Sequence, residues 1–469
     1  MQTSVVNYKK LHQGTRLDAE YYKPVLLTIE RKLRNVKNVL LNDVSKSIKS
    51  FGAYALCNQV VLVDKGIPFI RCKDIKEGFV DFSDVLFIDK ATHRLLSKSA
   101  ITPNVVMMTM SGTVGNSAVA DPEWVYPINS NQDIAKIETN DKISSYYLSI
   151  FLNTKYGKSQ TKRLPIGSIQ QHIFIWQLKG LIIFYPSQAF QKLIECLYIK
   201  AMNLLRDSEN SYSQAEQILL SELDLLNWEP KRRLSFVKHY SDTQSSDRID
   251  AEYFQPMFEK IVNKLVKYKN GYTLVGDTVK IKDRNFIPKD EVSYKYIELA
   301  NISINGNITG FTEALGKELP TRARRKVNNG DVIVSSIEGS LSSIALITES
   351  LNNALCSTGF YVISSESINS ETLLVFLKSK AGQLQLKKGC SGTILTAISK
   401  DELAKLIIPK IARRIQDEIK AKITEMYKVK ALSNNVLDIA KHGVEMAIEK
   451  DEKHAHKWID AKLKKINIV

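Results

Sequence analysis

The residues best suited to chemistry in this sequence are hydrogen-bonding and cationic side chains gathered in loops. In the first half of the chain they are Arg71 and Lys73, then Thr109, Ser111 and Thr113. Asn129, Ser130, Asn131 and Gln132 follow, and then Lys162 and Arg163. In the second half Arg322, Arg324, Arg325 and Lys326 form the densest group. Ser335, Ser336, Glu338 and Ser340 join it, with Lys387 and Lys388 further on. Each of these alone reads as a solvated surface side chain, and the clustering in both halves gives the set its weight. Arg and Lys neutralise phosphates and make binding salt-dependent. Asn and Gln match adenine edges, Arg matches guanine, and Glu accepts from cytosine N4. The chemistry on offer is recognition of DNA.

No catalytic constellation competes with that reading. The chain has no Pro-Pro dipeptide, and therefore no N-P-P-[YF] or D-P-P-Y signature of amino-methyl transfer. The nearest approach to a phosphate-binding loop runs from Gly310 to Gly316 and Lys317. It has five intervening residues instead of four, and Glu318 stands where Ser or Thr must meet magnesium. The Gly112–Gly115 turn is too short for a dinucleotide fingerprint. There is no H-E-x-x-H, and no G-x-S-x-G elbow. His454 and His456 sit in a basic, helical tail and read as surface residues. The sequence asks for no enzyme, no metal and no cofactor of its own.

Stepping outward, the elements that must carry these loops are duplicated. Residues 16–24 read RLDAEYYKP and residues 248–256 read RIDAEYFQP. Arg16 falls opposite Arg248, Asp18 opposite Asp250, Tyr21 opposite Tyr253 and Pro24 opposite Pro256, with Tyr8 opposite Tyr240, all 232 residues apart. PFIRCKDI (68–75) then faces KYIELANI (295–302), and residues 105–119 face 332–346, pairing Gly112 with Gly339. Residues 167–183 face 392–408, pairing Gly167 with Gly392 and Leu178 with Leu403. Gln191 faces Gln416 and Ile194 faces Ile419. The offset drifts from 232 to 225, which places small insertions and deletions in loops. An ordered series of this kind defines an internal repeat.

Each copy predicts a short amphipathic helix after Asp-Ala-Glu-Tyr, then β-rich runs such as V-V-M-M-T-M and V-I-V-S-S-I bounded by turn residues. A short apolar strand, L-I-I-F-Y-P or L-I-I-P-K, precedes a long helix, about 187–227 in the first copy and 411–449 in the second. Apolar residues at three–four spacing, Phe190 to Leu219 and Ile415 to Ala447, give each helix a narrow seam of the coiled-coil type. A helix of about 40 residues spans ~60 Å, more than one compact domain. The polar stretches 206–210 and 433–435 interrupt both seams and are expected to break them.

Composition bounds the rest. The chain of 469 residues predicts several domains. Its 44% hydrophobic and 25% charged content is that of a soluble globular protein. No run of eighteen apolar residues exists, so no membrane span is expected, and the first ten residues lack a signal-peptide core. Five scattered cysteines, Cys57, Cys72, Cys196, Cys356 and Cys390, form no C-x-x-C pair and imply a reducing, cytoplasmic setting. With 66 Lys and Arg against 50 Asp and Glu, the net charge is +16, which attracts polyanions.

This order of parts resembles the specificity subunit of type I restriction–modification systems. The likeness covers nearly the whole chain: the R-[LI]-D-A-E-Y-[YF] openings, the I-R-C-K-D-I and I-E-L-A-N-I strands, the Gly-[Ser/Thr]-Ile turn before the L-I-I strand, and the long helix bearing Gln191 or Gln416. The helix starts diverge, with Ser187-Gln188 in one copy and Arg414-Ile415 in the other.

The resemblance implies an α/β (α+β) fold with a pseudo-two-fold internal repeat. Target recognition domains would occupy residues 1–186 and 231–410, joined by two long antiparallel coiled-coil helices at 187–230 and 411–469. It implies no active site. Two adenine-N6 methyltransferase subunits would dock on the helices, for which Gln191, Ile194, Gln416 and Ile419 are the expected contacts. A restriction and translocation subunit would complete the complex, with S-adenosylmethionine and ATP on the partners and no membrane involved. Two readings of a different kind stay open: a duplicated protein–protein scaffold without sequence-specific DNA binding, or a subunit of a related type II or phage-defence methylation system.

Overall fold

A computed structural model describes residues 19–51, 54–165, 172–246, 248–303, 305–392 and 396–468. The chain divides into two compact units, Met1–Arg206 with Lys430–Val469 (unit 1), and Asp207–Val429 (unit 2). Tyr8, Arg16, Asp18 and Gly167 of the repeat lie outside the described residues.

Unit 1 begins with α1 (Pro24–Arg34), where Pro24 occupies a first-turn position that needs no N–H. Its strands are β1 (Asn38–Leu40), β2 (Ser45–Lys49), β3 (Leu62–Val63), β4 (Ile67–Ile70), β5 (Leu86–Ile88), β6 (Val106–Thr109), β7 (Ser117–Val119), β8 (Asn129–Ser130), β9 (Ile134–Thr139) and β10 (Ile182–Phe184). The helices are α2 (Lys90–Leu95), α3 (Ser145–Asn153), α4 (Lys155–Arg163), α5 (Ile175–Leu178) and the first part of α6 (Gln188–Glu222). Antiparallel β2-β9-β6-β7 forms one sheet and β3-β5-β4-β8, with β4 and β8 parallel, forms the other. The continuous apolar run of the sequence becomes β6, buried at every position.

Unit 2 repeats this plan. After α7 (Tyr240–Ser246) come α8 (Pro256–Val266), β11 (Tyr272–Leu274), α9 (Val275–Thr278), β12 (Val279–Lys282), β13 (Ser293–Ile297), β14 (Thr312–Leu315) and β15 (Ala323–Lys326). Then follow β16 (Val332–Ser335), β17 (Ile344–Leu346), β18 (Leu355–Ser357), β19 (Phe360–Ser365), α10 (Ser370–Lys378) and α11 (Lys380–Lys388). Next are β20 (Cys390–Ser391), β21 (Ala397–Ile398), α12 (Lys400–Ala404), β22 (Ile407–Pro409) and the first part of α13 (Arg413–Glu449), whose remainder belongs to unit 1 together with α14 (Glu452–Lys465). The sheets are β12-β19-β16-β17 and β14-β13-β18-β15, with β13 and β18 parallel. The first sheet matches β2-β9-β6-β7, and in the second β14-β13-β18 matches β5-β4-β8, but both outer edges differ. β3 has no counterpart among the described residues of unit 2, and where β15 flanks β18, the described residues of unit 1 show only the Ile101–Ile128 bridge.

The frame is held by the same side chains in both copies. Gln160 in α4 donates to Ile182 O at 2.9 Å and accepts from Ile182 N at 2.8 Å. Gln385 in α11 makes the same pair with Ile407, at 3.1 and 2.8 Å. Each amide therefore completes the edge of a short strand as a peptide group would. At the turn between α3 and α4, a Cβ on Gly157 would stand 2.4 Å from Leu152 O. On Gly382 it would stand 2.4 Å from Phe376 O, so each helix pair turns too tightly for any side chain.

Both long helices run unbroken through the polar stretches where breaks are expected from sequence. Ser208 and Ser433 are buried, and their hydroxyls bond to carbonyls on the facing helix. In unit 2 Ser208 donates to Met426 O at 3.0 Å, and in unit 1 Ser433 donates to Ala201 O at 2.7 Å. Small hydroxyls at these points continue the seam instead of ending it. The flanking Ile194, Leu197 and Ala201 close the core of unit 1 with Val436, Ala440 and Val444. Ala215 and Leu219 close that of unit 2 with Ile419 and Ile423.

Replacing Gln160 or Gln385 by Ala strands a buried N–H and C=O on the strand opposite. Each change should lower the stability of its own unit by about 1–3 kcal/mol, read as a loss of amide-exchange protection at Ile182 or Ile407. Undiminished protection there would contradict the strand-completing role.

Candidate nucleic-acid interface

The loops that sequence marks out for DNA contact separate into two groups once their burial is known. In unit 1 much of the set belongs to the frame. Thr109 is fully enclosed in β6, accepts from Asn116 N at 3.0 Å and bonds to Thr113 O. Asn129 accepts from Ser99 Oγ at 2.6 Å and donates to Leu96 O at 3.2 Å. Ser130 accepts from the buried ammonium of Lys136 at 3.0 Å. Arg163 lies over the Tyr21 ring at 4.2 Å, donates to Tyr21 O at 2.9 Å and pairs with Glu30. Ser111 is buried and bridges to His172. Thr109, Asn129, Ser130 and Arg163 are corrected from DNA contacts to frame residues, since polar groups enclosed and satisfied this way hold the domain together; Ser111 is buried as well.

Arg71 and Lys73 remain nearer the surface but are neutralised. Arg71 forks onto Asp74 at 3.1 Å and reaches Asp84, while Lys73 pairs with Asp84 at 2.5 Å. Burial raises the Asp84 carboxyl, but Lys73 and Arg71 outweigh it and hold its pKa below the usual carboxylate range. The backbone turn around Arg71 is the frame element, since Arg71 N bonds to Asp74 Oδ2 at 2.8 Å as Glu298 N bonds to Asn301 Oδ1 at 2.8 Å. The side chain on that turn differs between copies. Thr113 and Lys162 are exposed, and Asn131 and Gln132 are half-buried.

In unit 2 Ser335 is enclosed, with its hydroxyl on Ser340 Oγ at 2.9 Å, and is corrected in the same way. Ser336 bonds to Gly359 O at 3.0 Å. Lys387 pairs with Glu252 at 3.4 Å, and Lys388 lies 5.0 Å from the Tyr253 ring centre. The Arg-Asp-Tyr opening locks this corner. Arg248 forks onto Asp250 at 2.6 and 3.0 Å, donates to Cys390 O at 3.1 Å and stacks on Tyr253. Glu338 lines a cavity of about 360 Å³ with Lys380 and Lys387. Arg322 and Lys326 are exposed, Arg324 is half-buried, and Arg325 turns Nε and Nη1 inward with no hydrogen-bond partner.

The four expected docking contacts are also corrected. Gln191 and Gln416 are buried and Ile194 and Ile419 are wholly enclosed. Gln191 accepts from Ser144 N at 3.1 Å and donates to Pro186 O at 3.3 Å. Gln416 accepts from Asn369 N at 2.9 Å and donates to Ile411 O at 2.9 Å. These residues recur because each fastens a long helix to its own domain, which leaves nothing for a partner to touch.

Sequence reasoning missed several exposed residues at positions where the copies differ. Phe174 and Trp176 are exposed on α5 of unit 1, and Ser399 and Asp401 fill the aligned positions of unit 2. Arg284, Ile287 and Lys289 are exposed beside β15. The signal available for them was dissimilarity between otherwise aligned segments.

No protein-family model and no curated protein matches the chain. Among solved structures, the S subunit of a type I restriction–modification system from M. genitalium is similar over 92% of this chain and 96% of its own, at 14% identity and a TM-score of 0.33. The HsdS subunit from Thermoanaerobacter tengcongensis is similar over 88% of this chain and 97% of its own, at 12% identity and a TM-score of 0.30. Similarity at this level leaves the functional assignment to the residues themselves. No helix among the described residues is long and apolar enough to cross a membrane.

The Lys136 ammonium has a testable consequence. Burial pushes its pKa down to about 7 from an ordinary 10.5. The unfolded chain therefore binds the extra proton between those values, and unit 1 should grow more stable as pH rises from about 7 towards 10.5. Lys136→Met should remove that slope, measured as the urea midpoint of unit 1 across the range. An equal slope in the variant would contradict the assignment.

Proposed function

We propose that this chain is the non-catalytic DNA-specificity subunit of a type I restriction–modification system. One observation carries the reading: two copies keep the same frame residues and differ in the side chains that the frame displays. Gln160 and Gln385, Gln191 and Gln416, and Ser208 and Ser433 do matched work. Around them, Arg71 stands opposite Glu298, Phe174 opposite Ser399, and Trp176 opposite Asp401. Selection for a scaffold alone supplies no reason for the displayed chemistry to diverge while the frame stays. Two readers of unlike words supply one.

In this account each recognition domain reads a half-site of a few base pairs, and the pair of long helices sets the spacing between half-sites. Each mismatched base pair costs about 1–3 kcal/mol, so one half-site alone discriminates poorly against a genome. Linking the readers makes the second binding event intramolecular and multiplies the selectivity. The methyl transfer and the cleavage belong to adenine-N6 methyltransferase subunits and a restriction subunit, which hold S-adenosylmethionine and ATP. Outer faces of the long helices, not their buried Gln and Ile residues, are the docking surface for them.

Exchanging residues 36–186 for the recognition domain of another such subunit should change one half of the methylated site and leave the other half as it was. Sequencing of modified DNA reads the outcome. A change in both halves, or in neither, would contradict the modular reading.

A further inference from the structure

Unit 2 carries an edge strand where the described residues of unit 1 show only an isolated bridge, Ile101–Ile128, and the chemistry of that strand is one-sided. In unit 1 Asn129 of β8 is sealed by Ser99 and Leu96. In unit 2 the corresponding β18 is flanked by a further strand, β15, which forms the sheet edge. β15 shifts register between Ala323 and Arg325: Ala323 is buried and Arg325 turns Nε and Nη1 inward, while Arg324 is half-buried and Lys326 exposed. Exposed Arg322 immediately precedes them. The 284–289 segment is tied along this edge, since Phe286 N donates to Arg324 O at 2.7 Å and Lys326 lies 5.6 Å from the Phe286 ring centre. That segment brings Arg284 and Lys289, with Ile287 78% exposed between them.

Among the described residues none of Arg284, Lys289, Arg322, Arg324 and Lys326 has an ion-pair partner. The carboxylates Asp283 and Glu291 of the neighbouring segment pair with Lys400 at 2.6 Å and Lys317 at 2.9 Å. Beneath them, Nε and Nη1 of Arg325 have no hydrogen-bond partner, and after Lys400 the guanidinium's charge also helps lower the Asp283 carboxyl. Unit 1 contrasts with this, because its Arg71 and Lys73 are already neutralised by Asp74 and Asp84.

We infer that the β15 edge of unit 2, with the 284–289 segment laid along it, holds the phosphodiester backbone of duplex DNA. Unit 2 then supplies most of the salt-dependent affinity, whatever the sequence, and unit 1 contributes chiefly through contacts that do not depend on salt. This rests on the DNA-reading function proposed above and names where that function is electrostatic. Edge strands also carry charges simply to prevent edge-to-edge pairing, and the experiment separates the two roles.

The full chain, with methyltransferase partner if that is needed for solubility, is titrated with a random-sequence DNA duplex at several salt concentrations. Each released phosphate contact contributes about 0.9 to the slope of log K against log salt. The R322Q/R324Q/K326Q variant should therefore lose about 2–3 from the magnitude of that slope. A K90Q/K98Q/K142Q variant, which removes three exposed lysines of unit 1 that have no ion pair among the described residues, should lose less than about 1. Restoring charge alone with R322K/R324K should recover the slope, which a variant that merely misfolds would not do.

An unchanged slope in the unit 2 variant, with new self-association on gel filtration, would show that the charges only guard the edge and would overturn the inference while DNA reading stood. Equal losses in both variants would overturn the division of labour. Failure of the unaltered chain to bind duplex under any condition would overturn both.

Discussion

The structure depends on one constraint: each core is closed by parts of both long helices, and unit 1 must draw on two stretches that are far apart in the chain. In unit 1 the sheets and α3 leave an apolar face that Phe190, Ile194 and Leu197 cover only in company with Val436, Ala440, Val444 and Ile459. In unit 2, Tyr212 to Leu225 and Ile411 to Met426 play the same part. Each long helix therefore gives one half to each unit. The seams must be continuous, which is why Ser208 and Ser433 sit where a large or charged residue would part the helices. Their hydroxyls meet carbonyls and leave no polar group stranded, which avoids a desolvation cost of about 1–3 kcal/mol apiece.

A frame fixed in this way frees its surface to vary. Gln160, Gln191, Gly157 and their partners in the second copy satisfy backbone groups, so they recur without regard to what the protein recognises. The positions displayed by that frame carry arginine in one copy and glutamate in the other, or an aromatic pair against Ser399 and Asp401. Duplication followed by divergence at the surface is what a reader of an asymmetric, bipartite site requires.

The repeat, the central strands and the long helices were legible in the sequence because each leaves a local pattern. Apolar runs at 105–110 and 332–337 mark buried strands, and three–four spacing marks the seams. What escaped was the destination of polar side chains. Asn129, Thr109, Arg163 and Ser335 have the composition of a binding loop, yet each is satisfied inside its domain, Thr109 and Ser335 by neighbours in the same turn, Asn129 and Arg163 by the distant Ser99 and Glu30. Gln191 and Gln416 looked like docking residues for a similar reason: recurrence alone does not distinguish a shared partner from a shared internal bond. The added edge strand β15 was invisible as a strand, because A-R-R-K reads as a charged loop until its pairing with β18 is known.

The central claim is that two like frames present two unlike surfaces to one DNA site on behalf of a methyltransferase. It is tested most directly by sequencing the modified bases of the host genome with the gene present and deleted. The account predicts that deletion removes N6-methyladenine from a single motif made of two different half-sites separated by a fixed unspecified spacer. An unchanged set of modified sites, or loss of a continuous or palindromic motif, would contradict it.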